Sequence, residues 1–105
     1  MKYLITESKL DSIVFKYLDN QDFKKVFYGH NIYFVNSEED EYAQIKFDRT
    51  SKWCTISFGL MNEVANFFSL DSGNSISLIN KWVENKLDED SRMVHVETDL
   101  IVHFF

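Results

Sequence analysis

Residues 31–58, NIYFVNSEEDEYAQIKFDRTSKWCTISF, decide how the rest of the chain is read. Their apolar side chains recur at every second position, the period of strands, with polar turns between the runs. Folding residues 41–48 onto 53–58 around Arg49-Thr50-Ser51-Lys52 sets Phe47 opposite Cys54, Ile45 opposite Ile56 and Ala43 opposite Phe58. The alternate pairs are Lys46 with Thr55 and Gln44 with Ser57. One face is apolar and the other polar, the pattern of an antiparallel pair covered on one side. A slip of one residue would exchange the faces, so this agreement tests the register.

The same face extends outward in both directions. Folding residues 32–36 back around the SEED turn, residues 37–40, brings Phe34 to Ala43 and Ile32 to Ile45. Residues 23–28 fold around His30-Asn31 and bring Phe27 to Phe34. Before them, Leu10, Ile13, Val14, Tyr17 and Leu18 follow a helical face, predicting a helix over about 7–19. Ser8 and Asp11 have the spacing of a capping box, with Thr6 as the alternative cap. After the strands, Leu60, Val64, Phe67 and Phe68 mark a second helix that ends near Ser69. Asp71, Ser72 or Ser75 caps a third, whose inner face is Ile76, Ile79, Trp82, Val83 and Leu87.

The C-terminal stretch SRMVHVETDLIVHFF then returns to period two. Val94 and Val96 alternate with His95 and Glu97, while Leu100, Val102 and Phe104 alternate with Ile101, His103 and Phe105, around a turn at Glu97-Thr98-Asp99. Its regularity predicts β structure from about Met93 to Phe104, added to the sheet edge or paired between two subunits, since a bare apolar edge invites aggregation. The expected fold is α+β in two layers. An antiparallel sheet of four to six strands carries helices on one face, in the order α-β-β-β-β-α-α-β. Ile45, Ile56, Phe58, Val64, Phe68, Ile79, Trp82 and Leu87 are expected to share its core.

Composition supports one domain over residues 1–105. The chain is 45% apolar and 16% aromatic, with three glycines and no proline, which supplies a core and leaves little for linkers. No apolar run approaches the roughly 20 residues of a membrane span. The start, MKYLITESKL, reaches Glu7 too soon for a secretory signal, so a cytoplasmic location is expected. The single cysteine, Cys54, fits that compartment and faces the core, where burial would keep its thiol protonated.

A net charge of −6 opposes general nucleic-acid binding. Acids gather at Glu38-Glu39-Asp40-Glu41 and Asp88-Glu89-Asp90, whereas Lys24-Lys25 is the one adjacent basic pair, so a basic protein surface is the better electrostatic match. NSEEDEY and DSGNS lack the ligand spacing of a calcium loop and read as a turn and a helix start. His30, His95 and His103 lack further ligands in any zinc spacing, so no metal or cofactor is expected. No phosphate-cradling loop or nucleophile motif occurs, and no enzymatic activity is expected.

The strand register also defines the sheet's second face. It carries Val26, Tyr28, Tyr33, Val35, Tyr42 and Trp53 beside Lys24, Gln44, Lys46 and Thr55. A partner covers this aromatic face, or cross-strand pairs stabilise it in the open, or the apolar tail folds across it. Aromatics beside lysines also suit single-strand RNA platforms, but the charge is wrong and the signature of those platforms is missing. The candidate partner-binding residues are therefore Tyr28, Tyr33, Tyr42 and Trp53 on the face, Glu38, Glu39 and Asp40 at the acidic turn, and terminal Phe104 and Phe105.

Three stretches, MKYLITESKLDSIVFKYLDNQDF, IYFVNSEEDEYAQIKFD and KWVENKL, resemble short uncharacterised proteins encoded by tailed phages of marine bacteria. The resemblance extends to about Leu87, and the tail from Ser91 departs from it. It implies a viral protein acting in an infected bacterial host cell and brings no site residues with it. The expectation is a small non-enzymatic interaction module, an accessory factor that binds or inhibits a basic host protein. The alternatives are an oligomeric or virion-associated structural component, such as a homodimer, and thirdly a small enzyme or nucleotide-binding domain.

Overall fold

The computed structural model describes residues 7–102, and their elements are α1 (Glu7–Asn20), β1 (Lys24–Tyr28), β2 (Asn31–Val35), β3 (Ile45–Asp48), β4 (Trp53–Ser57), α2 (Phe58–Phe67), α3 (Ser72–Leu87) and β5 (Met93–Glu97). The α+β order is the expected one. The strands form one sheet in chain order, β1 to β5.

The β3–β4 pairing matches the register read from the sequence: Ile45 with Ile56, Lys46 with Thr55 and Phe47 with Cys54. Both earlier hairpins are displaced by two residues. Phe27 pairs with Ile32 rather than Phe34, because the turn is the tight pair Gly29-His30, with Gly29 at φ 60°. Two-residue hairpins need positive φ in the turn, and glycine supplies it without steric cost. Phe34 pairs with Ile45 and Ile32 with Phe47, two residues beyond the expected partners. An even shift keeps every side chain on its face, so the core survives it.

Ala43 changes sides. The expected strand over 41–48 begins only at Ile45, because residues 41–43 leave the sheet to pair with the C-terminal segment: the Ala43 N–H donates to Leu100 O (2.7 Å) and the Val102 N–H to Glu41 O (2.8 Å). β5 departs from the antiparallel expectation. It lies parallel to β4, with Trp53 beside Met93 and Thr55 beside His95, because two helices carry the chain back to the starting end of the sheet. The sheet is therefore mixed, with β5 as its parallel edge.

Local chemistry fixes the helix ends. Ser57 caps α2 by accepting from the Leu60 N–H at 3.1 Å. That cap turns the chain at once into helix, so Phe58 leaves the expected strand and core and is 48% exposed. Asp71 caps α3 by accepting from the Asn74 N–H (2.7 Å), and Asp88 closes it in the left-handed conformation at φ 53°. α1 starts at Glu7, which puts Ser8 inside the helix rather than at its cap; Thr6 lies outside the described residues.

The helices pack one sheet face around Val14, Leu18, Phe34, Ile45, Phe47, Cys54, Ile56, Val64, Ile79 and Trp82. Phe68 and Leu87 flank this core, half-buried. Trp82 is its largest member and touches Phe34 and Phe23 with ring centroids 5.4 and 5.9 Å apart. Its indole N–H donates to Asp19 Oδ1 at 3.0 Å, which ties α1 to α3.

Candidate functional site

The other sheet face is divided in two. Over one half, Leu100 and Val102 cover Tyr33, Val35 and Ala43, with Val26 and Tyr28 at the margin. This second small core is the tail folded across the aromatic face. Residues 100–102 form a strap held by the two backbone hydrogen bonds to residues 41–43 and by the bridge between Tyr42 and Ile101. Tyr33 is consequently 0% exposed, and its assignment as a contact residue is corrected: it is a core side chain under the strap. Tyr28 packs against it, rings 6.2 Å apart, and is half-buried. Tyr42 and Ile101 are exposed at the strap bridge. Phe104, Phe105 and His103 lie outside the described residues.

Among the described residues nothing is folded across the second half. Lys46, Asp48, Ser51, Trp53, Thr55, His95 and Glu97 line a shallow depression of about 210 Å³. Trp53 is 44% exposed, and Met93 beside it on β5 is 49% exposed. The Trp53 ring meets the His95 ring edge-on, at 87° and 5.7 Å between centroids. Asp48 anchors the floor by accepting from the Thr50 and Ser51 N–H groups at 2.9 and 3.2 Å, with His30 Nε2 at 3.6 Å. Burial works to raise the Asp48 carboxyl's pKa, but those N–H groups and His30 outweigh it and hold the pKa below its ordinary value.

Thr55, His95 and Glu97 invite a catalytic reading that their geometry does not complete. Thr55 Oγ1 is hydrogen-bonded to His95 Nε2 at 3.0 Å, and Glu97 Oε1 lies 3.7 Å from that same Nε2. A hydroxyl-activating relay needs the carboxylate on the opposite ring nitrogen, so this carboxylate competes with the hydroxyl instead of orienting its base. Thr55 is also 5% exposed, at the bottom of the depression. The Cys54 thiol is buried on the helix side, and burial followed by the Glu84 charge pushes its pKa up to about 12, which leaves it unreactive.

The acidic residues fall in two places. Glu38 and Glu39 are exposed on the turn before the strap-paired residues, whereas Asp40 helps build that turn by accepting from the Ser37 N–H at 2.9 Å. Asp88, Glu89 and Asp90 join Asp11, Glu84, Phe15 and Lys81 around a cleft of about 440 Å³ between α1 and the end of α3. Much of its charge is committed: Asp11 pairs with Lys81 (3.7 Å), Glu89 with Lys52, and Glu84 accepts from the Ser91 N–H (2.7 Å). Among the described residues no group of three or more acidic, histidine or cysteine side chains has the geometry to hold a metal ion. No helix among them is long and apolar enough to cross a membrane.

Sequence reasoning missed Met93 and His95 as members of the face. Their alternation with Val94 and Val96 was visible, but their neighbour, β4, depends on a parallel crossover that no local pattern encodes. Asp11 and Glu84 were missed for the same reason, since α1 and α3 meet only in the folded chain. No protein-family model, curated protein or solved structure matches this chain.

Proposed function

We infer that this chain is a small non-enzymatic protein-interaction module whose contact face is the open half of the outer sheet surface. One observation carries the reading: Trp53 and Met93 stand exposed side by side on a face that no described helix covers. Aromatic residues and methionine are enriched where proteins meet partners, and a tryptophan in a shallow, polar-rimmed depression is the usual form of an anchor. The net charge of −6 and the exposed Glu38 and Glu39 favour a basic partner. The resemblance to phage-encoded proteins suggests that this partner is a host protein in an infected bacterial cell, with the chain acting as an accessory factor that binds or inhibits it.

The test is affinity capture from bacterial lysate with three forms of the protein. The parent and Phe67→Ala, altered on the helix side where Phe67 is exposed, should retain the same basic partner, and Trp53→Ala should lose it. Capture by Trp53→Ala equal to the parent's would remove the face from consideration.

A further inference from the structure

One histidine of the contact face has two claimants for a single ring nitrogen. His95 Nε2 is hydrogen-bonded to Thr55 Oγ1 at 3.0 Å, Glu97 Oε1 lies 3.7 Å from it, and the His95 ring meets that of Trp53 edge-on at 5.7 Å. We propose that His95 is a proton-operated switch on this face: the neutral ring keeps to Thr55, and the charged ring draws Glu97 in beside Trp53. Its consequence for binding rests on the reading of Trp53 as the contact residue.

The strand register puts the three groups in place. Thr55 and His95 are direct neighbours on β4 and β5, and Glu97 follows two residues later on the same side of β5. A threonine hydroxyl both donates and accepts, so it satisfies Nε2 in either tautomer of a neutral imidazole. The neutral ring has no need of a carboxylate, and Glu97 stands beyond hydrogen-bond distance. A protonated ring carries an N–H on both nitrogens and a full charge, for which a carboxylate is the stronger acceptor. The two claimants also differ in their freedom to respond. Thr55 is 5% exposed and its branched side chain is stiff, whereas the Glu97 side chain is 52% exposed and can swing. Histidine changes charge between about pH 5 and 8, which sets the range of the switch.

The other groups lining the depression decide what the switch does. β3 contributes Lys46 and Asp48, the latter beside His30, and β5 contributes Glu97, whereas Trp53 and Thr55 of β4 carry no charge. With His95 neutral, two carboxylates face one ammonium, an excess that suits a basic partner. A charged imidazole cancels that excess and commits Glu97 to its own sheet. The face therefore holds a basic partner at neutral pH and releases it in acid.

Nuclear magnetic resonance of the free protein, from about pH 8 down to about pH 5, tests the switch directly. The Trp53 indole signal of the parent should shift in one step, in parallel with the ring signals of His95. His95→Gln should abolish that shift, and His30→Gln should retain it, which separates His95 from the histidine beside Asp48. Glu97→Gln should shrink the Trp53 shift while His95 still titrates, because the neutral amide is not drawn to the charged ring. A Trp53 signal that stays fixed in the parent overturns the proposal, as does one that moves equally in His95→Gln or in Glu97→Gln. With a partner captured by the parent, affinity should fall severalfold over the same range, and His95→Gln should bind equally at both ends. Equal affinity of the parent at both ends would overturn the release. The free-protein measurements need no partner, so a failure there is separable from a failure of the contact face.

Discussion

Asp19 holds two helices together through one carboxylate. It accepts from the Trp82 indole at 3.0 Å and pairs with Lys86 at 2.7 Å. Those two bonds, Lys86 first, draw its pKa below the ordinary 3.8 against a smaller opposing effect of burial. A lower pKa in the fold means that ionisation favours folding. The contribution is complete above pH 3.8 and is lost as pH falls through the folded value. Asp19→Asn keeps an acceptor for the indole but cannot titrate, so acid denaturation below pH 3.8 should be shallower than in the parent. Asp19→Ala leaves the indole N–H without its partner and should cost about 1–2 kcal/mol in chemical denaturation. At Cys54 the expectation is kinetic. With a pKa near 12 and a buried sulfur, alkylation at pH 8 should proceed no faster than global unfolding. Rapid labelling of the native protein would contradict its placement. The inward direction of Cys54 was legible from alternation with Trp53 and Thr55, whereas the Trp82–Asp19 bond was not, because it joins residues that only the folded chain brings together.

At the scale of elements, faces were easier to read than registers. A period of two assigns Ile32, Phe34, Ile45, Phe47, Cys54 and Ile56 to one side whatever the turns do. The turns themselves depend on the backbone: Gly29 at φ 60° sets the turn at Gly29-His30, one residue earlier than the expected His30-Asn31. Phe58 was misplaced because Ser57 acts as a helix cap, and Ala43 because its partner, Leu100, lies at the far end of the chain. The strap makes the clearest prediction at this level. Leu100 is 3% exposed against Tyr33 and Val35, so Leu100→Ala should cost about 2–5 kcal/mol. Ending the chain after Glu97 should lower the melting temperature and increase binding of a hydrophobic dye, as the Tyr33 half of the face opens. A truncated protein that melts with the parent would show that the strap is not seated.

Across the whole molecule, two cores lie on opposite sides of one sheet, a large one under the helices and a small one under the strap. Trp82 is central to the first, and Trp82→Ala should cost about 3–5 kcal/mol, comparable with the full stability of many domains of this size. An unchanged melting temperature would refute that placement. At the exposed SEED turn the expected effect of charge is on association and not on folding. Glu38→Gln with Glu39→Gln should leave the melting temperature alone, slow association with a basic partner and flatten its salt dependence. Equal on-rates for the parent at low and high salt would remove the electrostatic part of the reading. The open face was only half legible, since the sequence placed Trp53 on it but left open whether the tail covered it.

The chain has two tryptophans, so a nitrogen-15 spectrum holds two indole N–H signals. Trp53 is 44% exposed on the open face and Trp82 is 4% exposed within the core. Titration with a partner captured by the parent protein should shift or broaden the Trp53 signal and leave that of Trp82 in place. A bound complex in which the Trp53 indole does not move would contradict the assignment of this face.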